Sequence, residues 1–261
     1  GTKLVLKGEP GAEYITPLVF AVVLVTVLLN ATTARPVASM VGVFLKKSDG
    51  ILIVGASKVS RLIASYLQKS GRHVVVLDSN RLNVNKAKEL GLEAITANIY
   101  SDDLTDNIEL NDVGYLLAMT GNDEINKQAI SRFGKYFGEN GTFRLMTSEE
   151  MRQRQHLSAR ELFSYTHDYT RFTEVAHDFP SIQEIPVGSE SQFLRVLNII
   201  GDNETAIPLF IKRPNGFLDL ITAPDELEVE EGSALVYLGK PMDFEDVANA
   251  TKTKKEVAAP K

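Results

Sequence analysis

Between Asp49 and Leu145 the sequence alternates short apolar runs with segments whose apolar residues recur three and four apart. Ile51-Leu52-Ile53-Val54 is continuously apolar and ends at Gly55, as a strand buried on both faces should. Val59, Leu62, Ile63, Tyr66 and Leu67 follow at helical spacing until Gly71, a residue suited to closing a helix. The unit then recurs. His73 to Asp78 predicts a second strand, Leu82 to Leu90 a polar helix stopped by Gly91, and Leu92 to Ile95 a third strand. Tyr115 to Met119 predicts a fourth strand, Asp123 to Phe133 a helix, and Thr142 to Leu145 a fifth strand. Parallel strands need crossovers, and the helices supply them, so the pattern predicts an α/β fold with a doubly wound parallel sheet.

Beyond this region the texture changes twice. Ser148 to His177 is polar and helical in pattern, with Arg152, Arg154 and Arg160. It reads either as a bridging or oligomer-facing helix or as an amphipathic helix closing the sheet, since an apolar stripe does not name its partner. After Pro180, β-rich runs at Ile182–Val187, Ala206–Lys212, Phe217–Ile221 and Ala234–Leu238 are separated by Asn215-Gly216, Pro224-Asp225 and Glu231-Gly232. Turn chemistry at this frequency predicts a small, mostly antiparallel α+β domain with a helix near Gln192 to Ile199. The expected boundaries are 1–48, 49–147, 148–180, 181–242 and 243–261, the last ending in a Lys/Ala/Thr/Glu-rich frayed tail.

The N-terminal part obeys another rule. Tyr14 to Ala34, about 21 residues, carries no charge, and at about 1.5 Å per helical residue it matches the roughly 30 Å hydrocarbon core of a bilayer. Arg35, Lys46 and Lys47 follow it, which places the remainder on the cytoplasmic side. A signal-like segment and a buried core helix are the competing readings; Thr16, Thr26, Asn30, Thr32 and Thr33 favour the latter. The chain opens GTKLVLKGEP without a methionine and reads as a fragment of a larger protein. It has no cysteine, which removes disulfides, thiolate metal sites and a cysteine nucleophile. Its four histidines lack the ligand spacing of a metal centre. With 28 basic against 34 acidic residues and a net charge of -6, nucleic acid is not an expected partner.

In an open parallel sheet, ligands bind beyond the carboxyl ends of the strands. The first such turn is Gly55-Ala56-Ser57-Lys58-Val59-Ser60. A dinucleotide fingerprint wants glycine at 55, 57 and 60, and only Gly55 is present. Gly55 suits the tight turn, Ser57 narrows the backbone's approach to a phosphate, and Ser60 is small enough for close packing. The helix start still offers free N–H groups to an anion, with Lys58 beside it. Asp78 ends the second strand, where a carboxylate accepts from ribose hydroxyls and repels a 2′-phosphate. The alternative makes Asp78 a turn or capping residue before Asn80-Arg81-Leu82. Met119-Thr120-Gly121-Asn122-Asp123 lies on the same edge and reads equally as a ligand border or as a helix cap by Asn122 or Asp123. No Tyr-x-x-x-Lys pair, Gly-x-Ser-x-Gly elbow or Walker lysine motif occurs, so the expected role is sensing rather than catalysis.

The run ILIVGASKVSRLIASYLQKSGRHVVVLDSNRLNVNKAKELGLEAITANIYSDDL, with LLAMTGNDEIN after it, resembles the nucleotide-binding domain of TrkA-type (RCK) potassium-transport regulators. It looks most like the variant appended to bacterial monovalent cation–proton antiporters. GEPGAEYITPLVFAVVLVTVLLNATTARPVASMVGV looks like the last transmembrane helix of such an antiporter, and AIPLFIKRPNGFLDLITAPDELEVEEGSALVYLGKP resembles the TrkA C-terminal module. The resemblance implies a Rossmann-like sheet and regulation of Na+(K+)/H+ exchange by an adenine nucleotide (AMP, ADP or ATP) or NAD(H). It implies Gly55, Ala56, Ser57, Lys58, Asp78, Ser79, Asn98, Thr120 and Asn122 as ligand-facing residues. The implied partners are an antiporter membrane domain of the same chain and a second copy, forming a homodimer through the Rossmann-like domain. The implied place is the bacterial inner membrane, with the bilayer at residues 14–34 and the chain after about 35 in the cytoplasm. Two other readings stand beside it: a soluble NAD-dependent oxidoreductase, and a dimerising scaffold that binds no nucleotide.

Overall fold

A computed structural model describes residues 6–8, 10–40, 49–101, 112–137, 141–152, 167–201, 203–221 and 229–242. The expected tail at 243–261, the turn Pro224-Asp225 and the flanking Lys46 and Lys47 lie outside the described residues. The chain divides into two compact units, Gly1–Lys46 and Lys47–Lys261.

The first unit carries one long helix, α1 (Ile15–Met40). Its segment Ile15–Ala34 is 20 residues long with a mean hydropathy of 2.2, long and apolar enough to cross a membrane. Three of the four threonines that favoured a soluble core helix are satisfied within the helix itself. The hydroxyls of Thr26, Thr32 and Thr33 donate to the carbonyls of Val22, Leu28 and Leu29 at 2.9, 2.8 and 2.6 Å. Such back-bonding hides a hydroxyl where no water is present to receive it.

The second unit opens with the expected alternation. Strands β1 (Gly50–Val54), β2 (Val74–Asp78), β3 (Glu93–Thr96), β4 (Val113–Ala118) and β5 (Thr142–Arg144) form one sheet in the order β3-β2-β1-β4-β5. Every pairing in it is parallel. The helices α2 (Lys58–Lys69), α3 (Arg81–Glu89) and α4 (Asp123–Phe137) are the crossovers and cover. Strand β1 shows why its run is unbroken. Ile51 and Ile53 point into one core with Val59, Ile63 and Leu67 of α2, while Leu52 and Val54 point into another with Ala129 and Phe133 of α4. A central strand between two apolar layers has no face left for polar residues.

The segment expected as one helix over 148–177 is interrupted. Helix α5 (Ser148–Arg152) precedes residues outside the description, and a new helix, α6 (Tyr169–Asp178), starts after an extended Asp168. Asp168 accepts from the Arg171 N–H at 2.8 Å and pairs with Met146 in a parallel bridge. The capping carboxylate and the bridge both hold the backbone out of helical conformation there.

Strands β6 (Ile182–Val187), β7 (Ala206–Lys212), β8 (Leu218–Leu220) and β9 (Ser233–Gly239) form an antiparallel sheet in the order β6-β9-β7-β8, with helix α7 (Glu190–Gly201) on one face. Phe193, Val196 and Ile200 of α7 build that face's core with Ile211, Leu235 and Tyr237. The other face shares a core with the parallel sheet. Leu209, Phe210 and Leu238 join Leu67 of α2 and Phe172 of α6 in one cluster. The Tyr66 ring stacks on Phe210 at 6.2 Å, and its hydroxyl donates to Glu184 at 2.8 Å. Burial and the adjacent Glu184 carboxylate push the Tyr66 hydroxyl's pKa well up.

Candidate functional site

The turn from β1 to α2 is fixed by Gly55. Its φ is +101°, a conformation that costs a side-chain-bearing residue. A Cβ there would also stand 2.9 Å from both the Met119 carbonyl oxygen and Thr120 Cγ2. Gly55 therefore lets the ends of β1 and β4 approach closely. Ser57 is the N-cap of α2: its Oγ accepts from the Ser60 N–H at 3.2 Å and lies 2.9 Å from Ser60 Oγ. Ser60 is fully buried. The two serines that replace fingerprint glycines thus form a local capping pair, and the helix start keeps its orientation through side chains.

Asp78 ends β2 facing this turn. Its Oδ2 accepts from the Ala56 N–H at 2.7 Å and from Asn83 Nδ2 at 3.2 Å; its Oδ1 accepts from the Asn80 N–H at 2.8 Å. The carboxylate is therefore a turn residue, while Asn80 caps α3 by accepting from the Leu82 N–H at 2.9 Å. A carboxylate offers about four lone-pair sites, so one remains for a ligand. Arg61 Nη1 donates to the Ala56 carbonyl at 2.5 Å. Burial lowers the Arg61 pKa, and the Asp78 charge partly restores it.

At the end of β4, Thr120 is held by Asn126, which is fully buried. The Thr120 hydroxyl and N–H donate to Asn126 Oδ1 at 2.7 and 3.0 Å, and Asn126 Nδ2 donates back to the Thr120 carbonyl at 3.0 Å. Asn122 Oδ1 accepts from the Ile125 N–H at 3.2 Å in the first turn of α4. Asn98, after β3, accepts from the Tyr100 N–H at 3.0 Å.

These edges enclose a cavity of about 210 Å³ at the carboxyl ends of the strands. Of the residues expected to face a ligand, Gly55, Ser57, Asp78, Ser79, Asn98 and Thr120 line it. Ala56, Lys58 and Asn122 do not. Ala56 is buried with its N–H given to Asp78, Lys58 is exposed, and Asn122 is turned into its capping bond. Gly121, in the run expected to border a ligand, lines it too, and so do Asn83, Tyr100 and Tyr169, which the sequence reading missed. Asn83 stands one helical turn past the Asn80 cap, a spacing that was legible. Tyr169 belongs to α6 and had no local signal. Among the described residues no group of three or more His, Cys, Asp or Glu could hold a metal ion.

The cavity lies within a stretch of known kind. Residues 51–152 match the family model of the TrkA-N domain. The match runs from β1 through α5 and contains every lining residue named above except Tyr169. No curated protein matches the chain. Solved structures with a similar fold include the TrkA-N domain of the inner membrane protein ybaL from Escherichia coli, 21% identical over 41% of this chain and 92% of that one, TM-score 0.30. The NAD(P)-binding domain of an exopolyphosphatase-related protein from Archaeoglobus fulgidus is 16% identical, covering 40% of this chain and 91% of that one, TM-score 0.30. The GsuK RCK domain is 13% identical, covering 81% of this chain and 47% of that one, TM-score 0.38.

Proposed function

We propose that this chain is the cytoplasmic, nucleotide-sensing region of a monovalent cation–proton antiporter, joined to its membrane domain through α1. The observation that carries the reading is the cavity beyond the strand ends of the TrkA-N domain, where Gly55 makes the turn and Asp78 faces it. TrkA-N domains bind NAD(H) or other nucleotides in general, and the apolar α1 supports attachment to a membrane. The ligand is an adenine nucleotide: the ribose hydroxyls take the remaining acceptor capacity of Asp78, and a phosphate meets the first turn of α2. Control is by linkage. A nucleotide that prefers one arrangement of a homodimer biases the attached transport domain by its differential affinity for the two states. The transported ion is Na+ or K+, the setting is a bacterial inner membrane, and the role is regulatory rather than catalytic.

Calorimetry on the full chain in detergent with AMP, ADP, ATP and NAD+ tests this, with Asp78→Ala as the control variant. Removing a charged acceptor weakens binding about 10- to 150-fold. A second reading has its own support. Asp78 already accepts three donors and Ser57 already caps α2, as in a scaffold that binds no nucleotide. Absence of heat with all four nucleotides selects the scaffold; wild-type binding with unchanged affinity in the variant removes Asp78 from the site.

A further inference from the structure

The cavity has two sides, divided by Gly55. Strand order β3-β2-β1-β4-β5 puts Asp78, Asn98 and Tyr100 beyond the ends of β2 and β3 on one side, and Thr120 and Gly121 beyond β4 on the other. A dinucleotide lies across such a crevice, with one nucleotide on each side of the point where strand order reverses. Here a side chain narrows the β4 side. The Tyr169 ring carbons Cε1 and Cδ1 stand 2.8 and 2.9 Å from where a Cβ on Gly121 would be. The ring therefore lies directly on the glycine backbone, and any larger residue at 121 would displace it.

The ring is held there by its own helix. The Tyr169 N–H donates to the Met146 carbonyl at 2.9 Å, Asp168 caps α6, and Phe172, Val175 and Ala176 of the same helix are buried. The Tyr169 hydroxyl has no hydrogen-bond partner among the described residues, so the side chain is placed by its backbone and packing rather than by a polar bond of its own. The remaining space is about 210 Å³, small even against the roughly 300–1,000 Å³ usual for drug-sized ligands, so it favours a mononucleotide over a dinucleotide of about twice its size. We infer that Tyr169 is a specificity-determining residue that closes the β4 side of the pocket, restricting the ligand to an adenosine mononucleotide and excluding a dinucleotide. This rests on the nucleotide-sensing reading above.

Competition calorimetry on the full chain in detergent, with AMP, ADP and NAD+, tests it in wild type, Tyr169→Ala and Tyr169→Phe. Wild type binds AMP or ADP at least about 10-fold more tightly than NAD+, the scale on which a filled apolar pocket discriminates. Tyr169→Ala brings the ratio to within about threefold by tightening NAD+, and Tyr169→Phe keeps the wild-type ratio because the ring does the excluding. Where Tyr169→Ala does not fold, as its melting curve will show, Tyr169→Val carries the same forecast. A purely structural Tyr169 lowers the melting temperature and leaves the ratio fixed, which overturns the inference. Wild type that binds NAD+ as tightly as AMP overturns it while leaving the nucleotide-sensing reading intact. Wild type that binds none of the three overturns both.

Discussion

Two residues at the β1–α2 turn show how one short motif serves stability and ligand geometry together. Gly55 at φ +101° faces the Met119 carbonyl at 2.9 Å from its would-be Cβ, so Gly55→Ala should cost roughly 1–3 kcal/mol in denaturant unfolding. Ser57→Gly should cost only a few tenths of a kcal/mol, because glycine is itself tolerated at an N-cap. It should also tighten AMP binding if the side chain obstructs the phosphate; weaker binding would instead make the hydroxyl a ligand contact. At the opposite edge of the sheet, His73 Nδ1 and Nε2 lie 2.9 Å from Asp112 Oδ1 and Glu93 Oε2. The hydrogen bond to Glu93 raises the His73 pKa most, burial opposes it, and Asp112 adds to the rise. The folded value thus exceeds the unfolded value of about 6.5. The stabilisation is fully present below that pH and is lost as pH rises through the folded pKa. The gap in melting temperature between wild type and His73→Asn should therefore shrink from about pH 6 to about pH 8.5. A gap that stays constant across that range would remove the ion pairs as its source. The His73 side chain is 35% exposed, so solvent screening keeps the effect small.

At the scale of elements, α1 and α2 make opposite uses of apolar residues. Along Ile15–Ala34 the apolar residues form a charge-free segment without a polar face, and their length of about 30 Å matches a bilayer rather than a helix-on-sheet contact. The full chain should therefore sediment with liposomes and resist alkaline extraction, whereas a chain beginning at Lys47 should remain soluble and melt cooperatively. An aggregating Lys47–Lys261 fragment, beside a full chain soluble without detergent, would make α1 a core helix instead. Helix α2 concentrates its apolar residues on one side: Val59, Ile63, Ala64 and Leu67 are buried, while Lys58, Gln68 and Lys69 are exposed. Its periodicity was legible in the sequence, and so was its stop at Gly71, because both follow from neighbours within a few residues. Its second role was not legible. Tyr66 and Leu67 also meet the antiparallel sheet, through Phe210 and Glu184.

Over the whole molecule, the two sheets of the second unit share one apolar cluster, so stress in either is felt in both. Phe210 is 1% exposed within it, and Phe210→Ala should cost about 3–5 kcal/mol in denaturant unfolding of the full chain. A loss below about 1 kcal/mol would mean the sheets are energetically independent. Sequence alone determined what depends on near neighbours. The unbroken apolar strands follow from two-sided burial, the helix stops from glycine, the tight turn at Gly55 from its missing side chain, and the long α1 from its lack of charge. Tertiary structure decided the partners. Asp78 accepts the Ala56 N–H only because β1 and β2 lie in register, from Ile51 opposite Val74 to Val54 opposite Leu77. Thr120 is anchored by Asn126 because α4 folds back over β4. Asp168 breaks the expected long helix because a bridge to Met146 holds it extended. Tyr169 reaches the cavity because that break aims α6 at Gly121. Periodicity records which face of an element is buried, but the group that meets it is fixed only where the crossovers land, by contacts between residues far apart in the chain.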